Sequence, residues 1–316
     1  MRLPSLRRRR DGVDRAPVPF AVGMNRSGTT LLRMMLDAHP ELTIPPETHF
    51  VPSLIKAVRE EGTPEAALAA MKGHREWADF GFSDEEVLGW FRALDDLRPG
   101  DAVRAFYEAY ARRVGKPRWG DKTPKYVMSM PLIQRAMPEV HFIHVIRDGR
   151  DVALSVLDRT VRDIDAAHVA GRWKKKVSTA REVAQRLEHY LEIRYEDLIL
   201  DTEPTLHQVC EFIELDWDPA MLEYHERAPE RLQEMARELP ATGRAKHLSV
   251  ERRMATHAMT TKPPSVERVS RWRREMGEED RVAFEEVGGD LLAELGYPVG
   301  EPVDAAHPTA GAPAES

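Results

Sequence analysis

An α/β fold in three layers, with helices on both faces of a central parallel sheet, follows from three features of the sequence. Three short apolar segments, 19–22, 141–146 and 190–195, have the composition of buried strands. Each is followed by a stretch with helical periodicity, and turns bearing Gly23 and Gly149 make the first two junctions. Strands alternating with helices build parallel sheets covered on both sides. Ligands of such sheets lie beyond the carboxyl ends of the strands, which is where the glycine-bearing turns fall.

Along the chain, the strand at 19–22 leads through Gly23 into a helix over 29–38. The strand at 141–146 is followed by Asp148-Gly149-Arg150 and a helix over 151–158. Val169, Trp173, Val177, Ala180, Ala184 and Leu187 recur every three to four residues, the period of a helix with one buried face. The strand at 190–195 precedes an amphipathic helix over 205–213. Residues 49–120 read as a mostly helical insertion carrying Phe80, Phe82, Trp90, Phe91, Phe106, Tyr107 and Tyr110. Helix packing is the plainer reading of these rings, and an apolar ligand pocket the alternative. Residues 17–298 form one domain between two solvated tails, Arg-rich 1–16 and Pro/Ala/Gly-rich 299–316.

A chain of 316 residues can bury a core without covalent staples. Its net charge of −7 argues against nucleic acid as the main partner. Cys210 is the only cysteine, which excludes an internal disulfide and any multi-cysteine metal site and suits a reducing cytoplasm, the expected compartment. No apolar run approaches the ~20 residues of a membrane helix, so no span is expected. The arginines at 7–10 lack the apolar stretch of a secretory signal. A homodimer stays open.

Gly23-Met24-Asn25-Arg26-Ser27-Gly28-Thr29-Thr30 joins the first strand to its helix with the spacing of a P-loop. Backbone amides of such a turn and of the helix start converge on an anion. A nucleotide triphosphatase would carry Lys where this chain has Thr29, followed by a hydroxyl that holds Mg²⁺. Here the loop cation is Arg26, so the turn suits an oxyanion held by amides, hydroxyls and one guanidinium. Ile146-Arg147-Asp148-Gly149-Arg150, with Ser155 a turn or two on, makes a second strand-end turn with a guanidinium. Arginine's planar fork matches phosphate oxygens.

Arg26 to Arg33, continuing through Leu36-Asp37-Ala38-His39-Pro40, resembles the 5′-phosphosulfate loop of sulfotransferases, and most of all that of the protein-tyrosine sulfotransferase branch. The resemblance implies a P-loop-like fold and 3′-phosphoadenosine 5′-phosphosulfate (PAPS) as co-substrate, its phosphosulfate held by Arg26, Ser27, Gly28, Thr29 and Thr30. It further implies that Arg147, Ser155 and Arg159 hold the 3′-phosphate and that Tyr195 lies beside the adenine. Lys262 and Arg271 match the loop and basic residue that close over the nucleotide. The branch commonly has Ser where this chain has Thr256 and Lys where it has Arg271, so hydroxyl and charge are both kept.

Sulfuryl transfer is kin to phosphoryl transfer, an in-line displacement catalysed by positioning and cations. The sulfuryl group carries less charge, so a bridging Mg²⁺ is dispensable and no metal is expected. The resemblance makes Glu47, in Pro45-Pro46-Glu47-Thr48-His49, the base for the acceptor hydroxyl, with His49 as rival. It makes Lys122, in Trp119-Gly120-Asp121-Lys122-Thr123-Pro124, the cation for the leaving phosphate, helped by Thr256. The acceptor is a phenol, glycan, lipid or peptide tyrosine, and residues 49–120 form its side of the site. Arginines that hold acidic peptides in the animal enzymes are replaced here by His49 and Ser53. A Mg-dependent P-loop kinase and a non-catalytic nucleotide-binding module are the alternatives.

Overall fold

The computed structural model describes residues 15–158, 164–242 and 247–301. The arginines at 7–10, the final fifteen residues and Arg159 lie outside them. Four parallel strands form the main sheet in the order β4 (Asp121–Lys122), β1 (Val18–Gly23), β5 (Val140–Ile146) and β6 (Tyr190–Arg194). A second, two-stranded parallel sheet pairs β2 (Leu42–Thr43) with β3 (Arg118–Trp119).

The period of two along a strand sorts the core. Phe20 and Phe142, paired in register, point into one cluster, while their neighbours Ala21 and Ile143 point into another. The phenylalanine face is covered by α2 (Val51–Glu60), α3 (Pro64–Lys72), α4 (Asp84–Arg92), α5 (Pro99–Val114) and α6 (Met130–Ala136). The opposite face carries α1 (Thr29–Ala38), α9 (Tyr195–Leu200), α10 (Thr202–Phe212) and α11 (Tyr224–Gln233). A third cluster joins α7 (Gly149–Leu157), α8 (Ala166–Ala184), α13 (Trp272–Glu275) and α14 (Glu278–Glu294). Between α11 and α13, α12 (Val250–His257) runs into a 3₁₀ turn over Ala258–Thr261.

The helix over 29–38 is observed as expected, and the other elements differ at their ends. The strand expected through 195 stops at Arg194, and Tyr195 opens α9 instead. Leu187 lies past the end of α8. The short β2, β3 and β4 had no signal, because two-residue strands carry no period to read. Phe80, Phe106, Tyr107 and Tyr110 are buried against one another, with Phe80–Phe106 centroids 5.0 Å apart edge to face. These rings are core, and the apolar pocket expected as their alternative does not form among them.

Candidate functional site

Gly28 caps α1 with φ +100°, and no side chain bonds the first-turn amides. Those N–H groups and the helix dipole therefore remain available to an anion. A Cβ on Gly28 would lie 2.2 Å from Tyr195 Cδ2, so glycine is needed for space as well as for angle. Arg26 also has positive φ, +76°, a strained setting for a long side chain. Ser27 is buried and spends its hydroxyl on the Met24 carbonyl, 2.7 Å away, which fixes the turn.

The two strand-tip turns touch. Arg26 Nε donates to Ser155 Oγ at 2.9 Å, and Arg147 donates to the carbonyls of Arg26 (3.3 Å) and Arg268 (2.7 Å). The Arg147 guanidinium also lies over the Tyr195 ring, 4.3 Å from its centroid, and bonds Asp151 Oδ2 at 3.2 Å. Its Nε is buried without a hydrogen-bond partner. Unlike α1, α7 is capped by its own Asp148, whose carboxylate accepts from the Arg150 amide at 2.9 Å. With that helix start already capped, the polar groups this turn presents are side chains, Arg147 and Ser155 among them.

Lys122 lies in β4 and is 2% exposed. Its Nζ is 2.5 Å from Glu47 Oε1 and 3.3 Å from Thr30 Oγ1. The second oxygen of Glu47 lies 3.1 Å from His49 Nε2. Burial alone would raise the Glu47 carboxyl, but Lys122 and His49 outweigh it and hold the group far below the usual carboxylate range. Burial lowers the Lys122 ammonium, and Glu47 offsets part of that.

Glu47 belongs to no helix or strand, and buried polar groups hold its segment in place. Thr48 Oγ1 donates to Asp121 Oδ2 (2.8 Å) and bonds the Tyr126 hydroxyl (2.7 Å), while Tyr107 donates to the same Asp121 oxygen (2.7 Å). Burial pushes Asp121 up to about 6 despite those donors. From the other side, Arg33 Nε donates to the Ile44 carbonyl (2.9 Å), and Asp37 accepts from the Ile44 amide (2.7 Å). Arg33 is fully buried, with both terminal nitrogens lacking hydrogen bonds and its nearest acid, Glu234, 3.7 Å away.

The remaining expected residues are dispersed. Thr256 donates its hydroxyl to the Arg252 carbonyl inside α12. The next residue, His257, is the one in the field of the pair: burial, then Lys122, push it down to about 3. Lys262 is exposed and gives its carbonyl to the Tyr224 hydroxyl at 2.7 Å. Arg271 bonds Glu275 (2.9 Å) and Asp158 (3.3 Å), beside the end of α7. Arg33, Asp121, Thr48 and His257 were missed as site residues. Arg33 alone had a signal, one turn beyond Thr30 on the helix that follows the loop.

A parallel sheet with glycine-bearing turns at the tips of β1 and β5 and a buried acid–lysine pair beside them defines a P-loop-like α/β fold. The chain belongs to the sulfotransferase family, whose model matches residues 17–219. It is 27% identical over 229 residues to protein-tyrosine sulfotransferase A of Caenorhabditis elegans, covering 69% of this chain and 55% of that protein. It is 25% identical over 264 residues to protein-tyrosine sulfotransferase 1 of Danio rerio, covering 81% and 65%. The chain thus spans a little over half to about two thirds of the length of these curated relatives. The solved sulfotransferase domain of a Synechococcus olefin synthase shares the fold, with TM-score 0.54 and 20% identity over 87% of this chain and 94% of that one.

Proposed function

We propose that this protein moves a sulfuryl group from PAPS to an acceptor hydroxyl by metal-independent in-line displacement. The observation that carries this reading is the Lys122–Glu47 pair, 2.5 Å apart, with Lys122 also reaching Thr30 of the phosphate loop. The donor fits the residues present: free amides at the start of α1, a buried unpartnered Nε on Arg147 and two unpartnered nitrogens on Arg33 all call for anionic oxygens.

In the reaction the bond from sulfur to the bridging phosphate oxygen breaks as the bond from the acceptor oxygen to sulfur forms. Glu47 takes the acceptor proton; the Lys122 pair keeps it ionised at neutral pH but also lowers its basicity while the pair is intact. Lys122 donates to the departing oxygen, a contact that strengthens as charge develops there. Moving Lys122 toward that oxygen also frees Glu47 from its ion pair and raises its basicity at the moment it is used. Gly28, Thr29 and the loop amides hold the phosphosulfate, and Arg147 with Ser155 holds the 3′-phosphate. In the same reading Arg159 joins Arg147 and Ser155 at the 3′-phosphate, Thr256 assists Lys122, and Lys262 and Arg271 close over the nucleotide. A cytoplasmic setting goes with it, supported by the single buried thiol of Cys210. Among the described residues no helix is long and apolar enough to cross a membrane.

The test is incubation with sulfate-labelled PAPS and a panel of phenols, glycans, lipids and tyrosine peptides, with and without chelator. Calorimetry with 3′,5′-diphosphoadenosine (PAP) and ADP runs beside it. Label transfer that survives chelation, and a marked preference for PAP, are expected. No preference for PAP over ADP overturns the reading.

A further inference from the structure

We infer that the cleft beside the Glu47–His49 pair is the acceptor subsite, and that it takes a single-ring hydroxyl compound carrying an anionic group, which Lys125 holds. This rests on the sulfotransferase reading above and adds the chemistry of its acceptor.

The cleft is lined by His49, Pro52, His74, Glu76, Lys125 and Ser129, together with the edge of Tyr126, and has a volume of about 250 Å³. Sites for drug-sized ligands usually run from ~300 to 1,000 Å³, so this one holds a ring and its substituents rather than a length of chain. His49 forms its wall and lies 3.1 Å from Glu47, so a hydroxyl bound here lies one side chain away from the base.

The charges of the lining do not cancel. Glu76 is paired with Arg75 at 3.1 Å. His74 bonds Ser53 Oγ at 3.0 Å, and burial, then His49, push its imidazole toward the neutral form. Lys125 has no hydrogen bond or ion pair among the described residues. Arg172 and Lys176, one turn apart on α8, are likewise without an acid among the described residues. Burial, then Arg172 and Lys125, lower the Lys176 ammonium, so the three cations share one field. An anionic group beside Lys125 would relieve that repulsion. Lys125 sits in the 3₁₀ turn Pro124–Met128 that follows β4, so the turn also fixes its distance from Lys122.

The test is titration of PAP-saturated protein with matched pairs: para-hydroxyphenylacetate against its neutral amide, and a hexose phosphate against the free hexose. A charge-assisted contact is worth ~1.5–3 kcal/mol, and for an exposed lysine the low end applies, about tenfold tighter binding of the anionic member. Lys125→Gln should bring the ratio close to one, and Lys125→Arg should keep it. The arm with the larger ratio tells a phenol carboxylate from a sugar phosphate. Equal binding within both pairs overturns the inference, as does a preference that survives Lys125→Gln. An acidic tyrosine peptide that binds more tightly than either small anion also overturns it. Failure of PAP itself to bind removes the sulfotransferase reading and this inference together, whereas PAP binding with equal pairs removes only the inference.

Discussion

Lys122 bridges Glu47 and the start of α1: its ammonium sits 2.5 Å from Glu47 and 3.3 Å from Thr30, almost wholly out of water. Two groups to which the proposed reaction gives separate tasks are thus held as an ion pair. Each keeps the other charged inside a site where either alone would tend to neutralise.

Replacing Glu47 by Gln should reduce turnover by ~10²–10⁴, the usual contribution of a general base. PAP affinity by calorimetry should stay close to the wild-type value, because the proposed role of Glu47 is toward the acceptor and not the nucleotide. A near-normal rate would move the base role to His49, and His49→Asn would then show the loss instead.

Arg147→Ala should weaken PAP far more than AMP. A charged hydrogen bond is worth ~1.5–3 kcal/mol, so a loss of about ten- to a hundredfold is expected for PAP. Arg147 also supports the Arg26 and Arg268 carbonyls and stacks on Tyr195, so AMP should lose a little too. Equal losses would take Arg147 away from the 3′-phosphate.

Gly28→Ala should destabilise the protein by about 1–3 kcal/mol in thermal unfolding and sharply reduce nucleotide binding. The new methyl would meet the Tyr195 ring, with Cδ2 2.2 Å away. Tyr195→Ala carries its own packing cost, but it removes the collision, so Gly28→Ala should cost less in that background than in the wild type, leaving only the φ strain. Full additivity of the two changes would show that the ring is not the obstacle.

Asp121 should leave a mark on stability against pH. Burial raises its carboxyl to about 6, so between the ordinary 3.8 and that value the folded state holds a proton the unfolded chain has released. Its contribution is therefore most favourable in acid and is lost as pH rises through about 6. Asp121→Asn does not titrate, so its melting temperature relative to wild type should shift in the variant's favour between about pH 4 and about pH 7. Two pKa units correspond to up to about 3 kcal/mol. A constant gap across that range would show that Asp121 does not titrate there.

Local pattern carried the frame. The strands at β1 and β5, the extent of α1, Gly23 and Gly28 at the loop, and Arg147 after β5 are all set by near neighbours: burial period, backbone freedom and the residue at a strand tip. These were enough to place two anion-receiving turns at one end of a parallel sheet. Tyr195 was misplaced at a strand end because its apolar ring continues the pattern of β6, while the chain turns helical one residue earlier.

What depended on the folded chain is everything assembled across distance. Lys122 becomes buried because β4 pairs with β1, and Glu47 is pinned because Thr48 meets Asp121, Tyr107 and Tyr126 on one side while Arg33 and Asp37 hold Ile44 on the other. His257 enters the field of Lys122 from the far end of the chain. A hydrogen bond or a desolvated charge is a property of three-dimensional neighbours, and no spacing in the sequence encodes which groups will share a dry space. Periodicity and turn chemistry are short-range and could be read directly; the pairing of charges in low dielectric could be read only once the layers had closed.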